Sequence, residues 1–281
     1  MHKSQWQTGW RGTMVRTVAA GLAAALAGVV SVPSAMAQES SAEKLPSAEE
    51  ILDKAVESLG GRAALERLQN RVSKGRFESP AQNMKGTLVS YEAPPLRSYT
   101  VIDIPPVGKV ESGSDGTVFW EMSAMQGARI LEGDEKAMKV RDARFNAPLH
   151  WRELYPKVEC VGRETVDDIP CYKVVMTPAA GSPQTAFYAV KNCLPLKILM
   201  TIKTPMGELP VEVRLEDYKT VDGVLLHHRV VQRMMGLEQV VIIESIEHNV
   251  DLPADRFALP EPVKALLEKP KTPPTTRPAQ P

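Results

Sequence analysis

The residues best suited to chemistry in this sequence are its histidines. His227 and His228 are adjacent in a run with strand character, and His150 precedes Glu153 by three residues. Such groups can bind a metal ion or act as a general base. Successive side chains of a strand point to opposite faces, so His227 and His228 cannot chelate one metal ion in the usual way. We expect one of them to point inward and the other to face the surface, with no metal site.

No other combination of residues indicates catalysis. The sequence contains no G-x-S-x-G elbow, phosphate-binding loop or H-E-x-x-H motif. Its aspartates have turn-type settings and no spacing typical of an acid–base pair. We therefore predict a protein that is not an enzyme and that needs no cofactor. A hydrolase of envelope lipids with His150 or His228 as its base is a minor hypothesis, because neither histidine has a nucleophile paired with it.

The sequence has three cysteines, Cys160, Cys171 and Cys193, which could form a disulfide if the protein is exported. Their number suits one disulfide and one free thiol in an oxidising compartment. A hairpin that turns at Gly181-Ser182-Pro183 would place Cys171 nearly opposite Cys193, which favours that pair over Cys160 with Cys171. Three small buried thiols are the alternative. The cysteines fit no zinc-binding spacing.

Residues 1–37 have the features of an export signal. Basic residues precede the apolar run Val18–Val32, and Ala35-Met36-Ala37 supplies small residues for cleavage. The run is 15 residues long, whereas a membrane-spanning helix needs roughly 20, so an N-terminal anchor is the less favoured alternative. Translation from Met14 would give a shorter leader of the same kind. We expect cleavage after Ala37 and a periplasmic mature protein.

The charge of the chain offers no basis for nucleic-acid binding. The whole sequence has 34 basic and 34 acidic residues. The leader holds three basic residues and no acidic one, so the mature chain has a net charge of about −3. Basic patches interleaved with aromatic residues are absent from the sequence. Neither nucleic acid nor an anionic membrane surface is therefore an expected partner.

The mature sequence predicts one mainly β domain at residues 47–265. Ser47 and Glu50 have the capping-box spacing that starts a helix, and a second short helix follows it. Residues 38–46 have the composition of a polar linker. Residues 266–281 are rich in proline and poor in large apolar groups, which predicts a disordered tail.

Extended runs rich in β-branched and aromatic residues follow these helices. Six of them precede a helical insert at residues 134–155, and three more precede a meander of four long runs at residues 194–248. Tight-turn signals stand between the runs of the meander, at Thr204–Gly207, at Val221-Asp222-Gly223 and at Met235-Gly236. Turns this short allow only antiparallel hairpins, so the sequence predicts a wide meandering sheet.

Several of these segments together resemble the periplasmic outer-membrane lipoprotein-sorting proteins, which are similar to the carrier LolA and its receptor LolB. The resemblance rests on AEEILDKAVESLGGRAALERLQN, SDGTVFWEM, LEGDEKA, the meander and NVDLPADRFALP. It covers residues 47–260 and lies in the order of the segments. It implies an α+β, mainly antiparallel fold in which about eleven strands form a strongly curved, incomplete barrel with helices over the open face. The family's gating arginine cannot be matched to a residue of this chain.

The resemblance also implies a carrier of lipids or acylated proteins that performs no catalysis. A hollow apolar interior would hold an acyl chain by removing its surface from water, at roughly 25 cal/mol per Å². Methionine is an adaptable lining for varied guests. The candidate ligand-binding residues of the cavity and lid are Trp120, Met122, Met125, Met138, Trp151 and Met200.

We therefore expect a monomeric periplasmic carrier or sensor. Its expected partners are a lipid or an acylated lipoprotein, together with a membrane protein of the cell envelope. The alternative is an envelope structural or interaction module whose interior is filled by its own side chains and which has no lipid ligand. An interior without enclosed apolar space would favour that alternative.

Overall fold

The fold is built on one large antiparallel sheet. A computed structural model describes residues 44–204 and 207–268, apart from the side chains of residues 203 and 204. The predicted leader at residues 1–37, most of the linker and most of the tail lie outside the described residues. Within the described ranges, the helices are too short or too polar to cross a membrane.

Five α-helices and thirteen strands occupy the described part of the chain. The helices are α1 Ala48–Ser58, α2 Arg62–Glu66, α3 Gly133–Asp142, α4 Trp151–Leu154 and α5 Glu261–Glu268. The strands are β1 Arg71–Ser79, β2 Met84–Ala93, β3 Arg97–Ile104, β4 Gly108–Asp115, β5 Phe119–Ser123, β6 Gly127–Ile130, β7 Lys157–Val166, β8 Ile169–Thr177, β9 Gln184–Ala189, β10 Pro195–Thr204, β11 Gly207–Val221, β12 Val224–Met234 and β13 Leu237–His248.

The strands form one sheet in the order β6-β5-β4-β3-β2-β1-β13-β12-β11-β10-β9-β8-β7. Strands next to each other in this order pair antiparallel, and most of these pairs are consecutive hairpins. At the centre, β1 pairs with β13, so that Arg71 lies opposite His248. The two edges, β6 and β7, are not joined to each other, which leaves an open, curved sheet.

The mainly antiparallel, incomplete barrel agrees with the prediction, but the number of about eleven strands is wrong. All thirteen extended runs of the sequence form strands. The shortest are β5 and β6, which are five and four residues long. They still pair because a tight turn joins Ser123 to Gly127. The family resemblance alone therefore underestimates a sheet that the hairpin signals of this chain describe correctly.

The tight turns of the meander have the left-handed backbone that two-residue hairpins require. Asp222 and Gly223 have φ values of 52° and 83°, and Met235 and Gly236 have φ values of 53° and 76°. Both turns were predicted from the sequence and are confirmed. At the third predicted turn, residues 205 and 206 lie outside the described part of the chain, and β10 and β11 flank them.

Helix α1 is fixed at both ends. The Ser47 hydroxyl accepts the Glu50 backbone N–H at 3.2 Å, and the Glu50 carboxylate accepts the Ser47 N–H at 2.9 Å, which completes the predicted capping box. Beyond the C-terminal end, the Leu59 carbonyl accepts the backbone N–H of Leu225 at 2.9 Å. Gly60 follows with φ of 121°, and a Cβ there would lie 2.4 Å from the Gly223 carbonyl oxygen. The helix thus docks directly on the β11–β12 hairpin.

The main core lies between α1, α2 and the β7–β9 part of the sheet. Buried Ile51 and Leu52 of α1 pack in one cluster with Val174 of β8 and Ala186 of β9. Ile198 of β10, which pairs with Ala186, packs against the same cluster. We call this side of the sheet the lid face and the other side the outer face.

The expected disulfide between Cys171 and Cys193 does not form, and the three cysteines are free. Cys171 lies opposite Ala189 in the β8–β9 register. It packs with Phe187 in a small second cluster, whereas Cys193 belongs to the main core. The two thiols therefore lie in different clusters, which the sequence spacing does not reveal.

The helical insert predicted at residues 134–155 forms α3, a 3₁₀ turn at Ala147–His150 and α4. Helix α5 was not predicted, and it extends three residues beyond the domain end expected at residue 265. It contacts β6 and fully buries Val263. Helix α5 therefore reaches into the segment that the sequence assigns to the tail.

Candidate functional site

Helix α3 lies on the lid face without joining the core. Asp134 and Glu135 in its first turn, and Lys139 and Arg141 in its last, complement the helix dipole. None of its ten residues is fully buried, whereas a helix that packs on a core buries one apolar stripe. Helix α3 is therefore a cover over space and not part of the packed interior.

Ion pairs fasten α3 to strands β5 and β6. The Arg129 guanidinium lies 2.7 Å from the Glu135 carboxylate and 2.8 Å from that of Glu121, and the Lys139 ammonium lies 3.3 Å from Glu121. Burial acts to raise the pKa of Glu121, but Lys139 and Arg129 outweigh it and lower that pKa. Partly exposed pairs of this kind contribute about 0.2–1 kcal/mol each. The contacts that hold this side of α3 are therefore weak and sensitive to salt.

A first cavity lies between α3 and β10. Met138 of α3 faces Met200 and Ile202 of β10 across it, and its volume of about 30 Å³ is roughly that of one water molecule. At its margin the Arg141 guanidinium donates to the Ala180 carbonyl oxygen at 2.8 Å. Two of the predicted ligand-binding residues, Met138 and Met200, thus meet at one site.

A second cavity, of about 200 Å³, lies on the other side of α3, against β2–β5. Its sheet wall carries the hydroxyl groups of Ser98, Thr100 and Ser112, and Phe119 and Leu131 border it. This wall is substantially polar. The cavity therefore differs from the uniformly apolar interior that the sequence predicts.

Asp142, the last residue of α3, borders both cavities, which we call together the lumen. Its side chain is exposed to solvent. Burial by the surrounding protein nevertheless raises its pKa, against the lowering influence of Lys139 and Arg141. Among the described residues its carboxylate has no hydrogen bond and no ion pair within 4.0 Å. Asp142 is therefore an unpaired acid at the border of the lumen.

Solved structures with a similar arrangement of sheet and helices identify the fold of this chain. LolA superfamily protein NE2245 from Nitrosomonas europaea is 18% identical, with a TM-score of 0.53 over 76% of this chain and 99% of that chain. An outer membrane lipoprotein-sorting protein domain from Vibrio parahaemolyticus is 14% identical, with a TM-score of 0.51 over 79% of this chain and 99% of that chain. The chain has the LolA fold.

A DUF1329 family protein from Desulfovibrio piger matches this LolA fold equally well. It is 16% identical, with a TM-score of 0.53 over 74% of this chain and 96% of that chain. No protein-family model and no curated protein matches the sequence. The likeness is therefore one of structure, at low sequence identity.

Two of the predicted ligand-binding residues, Trp120 and Met122, alternate along β5 with residues of the lid face. Glu121 between them bonds to α3 from the lid face, so both must point to the outer face. The Trp120 ring lies 6.0 Å from that of Tyr99, its second neighbour across the sheet. Trp120 borders the second cavity, but its indole is buried on the outer face, beside Gly113 and Tyr99.

Met125 and Trp151 lie away from the lumen altogether. Met125 occupies the β5–β6 turn and is 85% exposed. Trp151 is buried in the main core, where its indole N–H donates to the Asp53 carboxylate of α1 at 3.2 Å. The prediction that these two residues line the cavity is therefore not supported by their positions in this LolA fold.

Neither member of the histidine pair faces solvent freely, so the expected surface position for one of them is wrong. His228 is buried, with its Nδ1 3.0 Å from the Leu226 carbonyl oxygen. His227 is half-buried beside Tyr218, with ring centroids 6.0 Å apart. Burial and the charge of Arg71 lower the pKa of His227 to about 4. The described residues contain no group of three His, Cys, Asp or Glu side chains placed to hold a metal ion.

Sequence analysis missed Asp142 and the polar wall of the second cavity. Two signals could have found them. Ser98 and Thr100 on β3, and Ser112 and Ser114 on β4, alternate at the spacing of one strand face. Asp142 places an acid at a helix C-terminus, where the helix dipole disfavours negative charge.

Proposed function

We propose that this chain is a non-catalytic carrier or sensor that binds a lipid, or the acyl chain of a lipoprotein, in the lumen beneath α3. The main support is α3 itself, a helix with no fully buried residue that covers open space on the lid face. The LolA fold supports the same role, because one of the similar structures is an outer membrane lipoprotein-sorting domain.

The size of the lumen implies that ligand entry moves α3. The cavities measure about 30 and 200 Å³, below the roughly 300–1,000 Å³ of typical ligand sites. Asp142 at the end of α3 borders both of them. Displacement of the helix therefore joins the cavities into one larger space, which an acyl chain then fills at a gain of roughly 25 cal/mol per Å² of apolar surface.

The proposed site of action is the cell envelope. The expected leader at residues 1–37 supports export, and the LolA fold supports a role in handling lipidated molecules there. A membrane protein that supplies or accepts the lipid is the proposed macromolecular partner. Folding as a monomer is part of this proposal, because a single chain encloses the whole lumen.

Binding of a fluorescent fatty acid to delipidated protein tests the proposal. We expect saturable binding near one site per chain. Met138→Glu and Met200→Glu place a charge in the first cavity and should weaken binding about tenfold or more, because a buried unpaired charge is costly. Met125→Glu makes the same change at an 85% exposed turn and should leave affinity unchanged. Uptake that never saturates, or an equal loss in all three variants, would contradict a lumenal site.

The small first cavity favours one alternative, an envelope interaction module whose interior remains closed. Its volume of about 30 Å³ holds one water molecule and no hydrocarbon. Under this alternative, no fatty acid binds saturably, while the protein retains a partner in crosslinking experiments on intact envelopes. The fatty-acid titration thus separates the two functions.

A further inference from the structure

One carboxylate of the second cavity is not balanced by a cation. Glu92 is paired with Arg71, whose Nε lies 2.9 Å from its carboxylate, and Lys139 is paired with Glu121 at 3.3 Å. Asp142 has no such partner among the residues that the structure describes. The charged groups that line this cavity therefore leave one negative charge in excess.

The position of Asp142 on α3 strengthens this negative field. It is the final residue of the helix, and Ala143 is the C-cap. The C-terminal end of a helix carries a partial negative charge, which favours cations and disfavours carboxylates. Arg141, the adjacent cation, directs its guanidinium to the carbonyl oxygens of Ala137 and Ala180 and not into the cavity. Such a conflict with local preference is typical of functional positions.

Hydrogen-bond acceptors lie on the opposite wall. The Ser98 and Ser112 hydroxyl groups border the cavity, and neither has a side-chain hydrogen bond to the described residues. The Thr100 hydroxyl already bonds that of Ser90 at 2.8 Å. A primary ammonium has three N–H donors and no acceptor. One carboxylate and two free hydroxyl oxygens therefore match its hydrogen-bonding capacity.

We propose that the second cavity binds the primary ammonium head group of an amphiphile whose hydrocarbon chain occupies the rest of the lumen. Asp142 accepts the ammonium, and Ser98 and Ser112 accept its remaining N–H donors. A carboxylate or phosphate head group without an amine meets an unpaired acid at this point and is disfavoured. This inference rests on the proposed function, because it names the head group of the ligand that the lumen holds.

Displacement of bound cis-parinaric acid by dodecylamine, dodecanol and dodecanoate at neutral pH tests it. The three competitors share one chain length and differ only in the head group. We expect dodecylamine to bind at least about tenfold more tightly than dodecanol, as a charge-assisted hydrogen bond implies, and dodecanoate to bind most weakly. Asp142→Asn should reduce the ratio of amine to alcohol affinity to near one. Asp251→Asn, at an exposed position outside the lumen, should leave the ratio unchanged.

The outcomes separate this inference from the proposed function. Equal displacement by the three competitors, or strongest displacement by dodecanoate, overturns the ammonium site while acyl-chain binding stands. An unchanged ratio in Asp142→Asn also overturns it. If neither cis-parinaric acid nor dodecylamine, each titrated directly by calorimetry, binds saturably, both proposals fail. Should Asp142→Asn not fold, the order of the three competitors on the unmodified protein still decides the question.

Discussion

Asp142 is the residue whose surroundings conflict most with its chemistry. Its side chain is exposed at the border of the lumen, its carboxylate has no ion-pair partner among the described residues, and it occupies the unfavourable end of a helix dipole. The last two conditions favour the neutral acid. Folding therefore makes the ionised form of Asp142 less favourable relative to the protonated form. Residues of binding sites often lower the stability of a fold in this way.

The raised pKa of Asp142 predicts how stability changes with pH. A carboxyl whose pKa is higher in the folded than in the unfolded chain lowers the free energy of unfolding above its folded pKa, and this penalty vanishes below its unfolded value near 4. Asp142→Asn should therefore raise the melting temperature at pH 7, and the gain should shrink toward zero as pH falls to 4. Thermal unfolding across this range measures it, with Asp251→Asn as the control. A gain of equal size at every pH would assign the effect to something other than ionisation.

At the level of elements, ion pairs hold α3 to the sheet, whereas apolar packing holds α1 in the main core. Arg129 of β6 pairs with Glu135 of α3, and Lys139 of α3 pairs with Glu121 of β5, whereas α1 buries residues such as Ile51 in the main core. Helices α1 and α3 therefore differ in how easily they can leave the lid face. We expect α3 to move on binding and α1 to stay in place.

Loss of the ion pairs should speed ligand exchange. Arg129→Gln removes the ion pair with Glu135, which is the contact of Arg129 that holds α3. It should raise the dissociation rate of a bound fatty acid by up to about fivefold, since one partly exposed pair contributes about 0.2–1 kcal/mol. Stopped-flow displacement measures the rate. Added salt should accelerate exchange in the unmodified protein more than in the variant.

The matched control for this prediction is Arg233→Gln. Arg233 also bridges two carboxylates, at 3.0 Å to Glu212 and 2.8 Å to Glu238, but lies on β12 away from α3. Its removal should leave the exchange rate unchanged. Equal acceleration in both variants would show that general loss of surface charge, and not release of α3, controls exchange.

Docking of α1 depends on the absence of a side chain at residue 60. Gly60→Ala combines a φ of 121° with a Cβ placed 2.4 Å from the Gly223 carbonyl oxygen, so it should cost about 2–4 kcal/mol of unfolding free energy. Gly127→Ala is the control, because its φ of 69° is also positive but nothing lies within 4 Å of the added atom. Its cost should be about 1 kcal/mol. Chemical denaturation compares the two, and equal costs would mean that close packing at residue 60 is unimportant.

At the scale of the whole molecule, the sequence predicts well which segments form strands, but it predicts poorly which face of the sheet each side chain occupies. The thirteen extended runs and the turns at Asp222-Gly223 and Met235-Gly236 follow from local residue preferences. Local preferences do not predict which side chains of β5 point to the lid face. Phe119 and Trp120 are adjacent and both buried, so alternation between apolar and polar residues cannot distinguish the two faces of this strand. Trp120 and Met122 were assigned to the cavity and lid by residue type alone, which carries no information about the face. Met138 and Met200 lie on a helix and a strand that meet across one cavity, and their role in ligand binding remains a prediction.

The pairing of β1 with β13 determines when this sheet can become continuous. These strands belong to opposite ends of the folded chain, and each half of the sheet consists of consecutive hairpins that can form early. Until Leu237–His248 has emerged, the first six strands and the remaining ones are separate ribbons, each with an unprotected backbone edge. A chain whose synthesis or export stops before that segment would therefore carry two unpaired, aggregation-prone sheet edges in place of one continuous sheet.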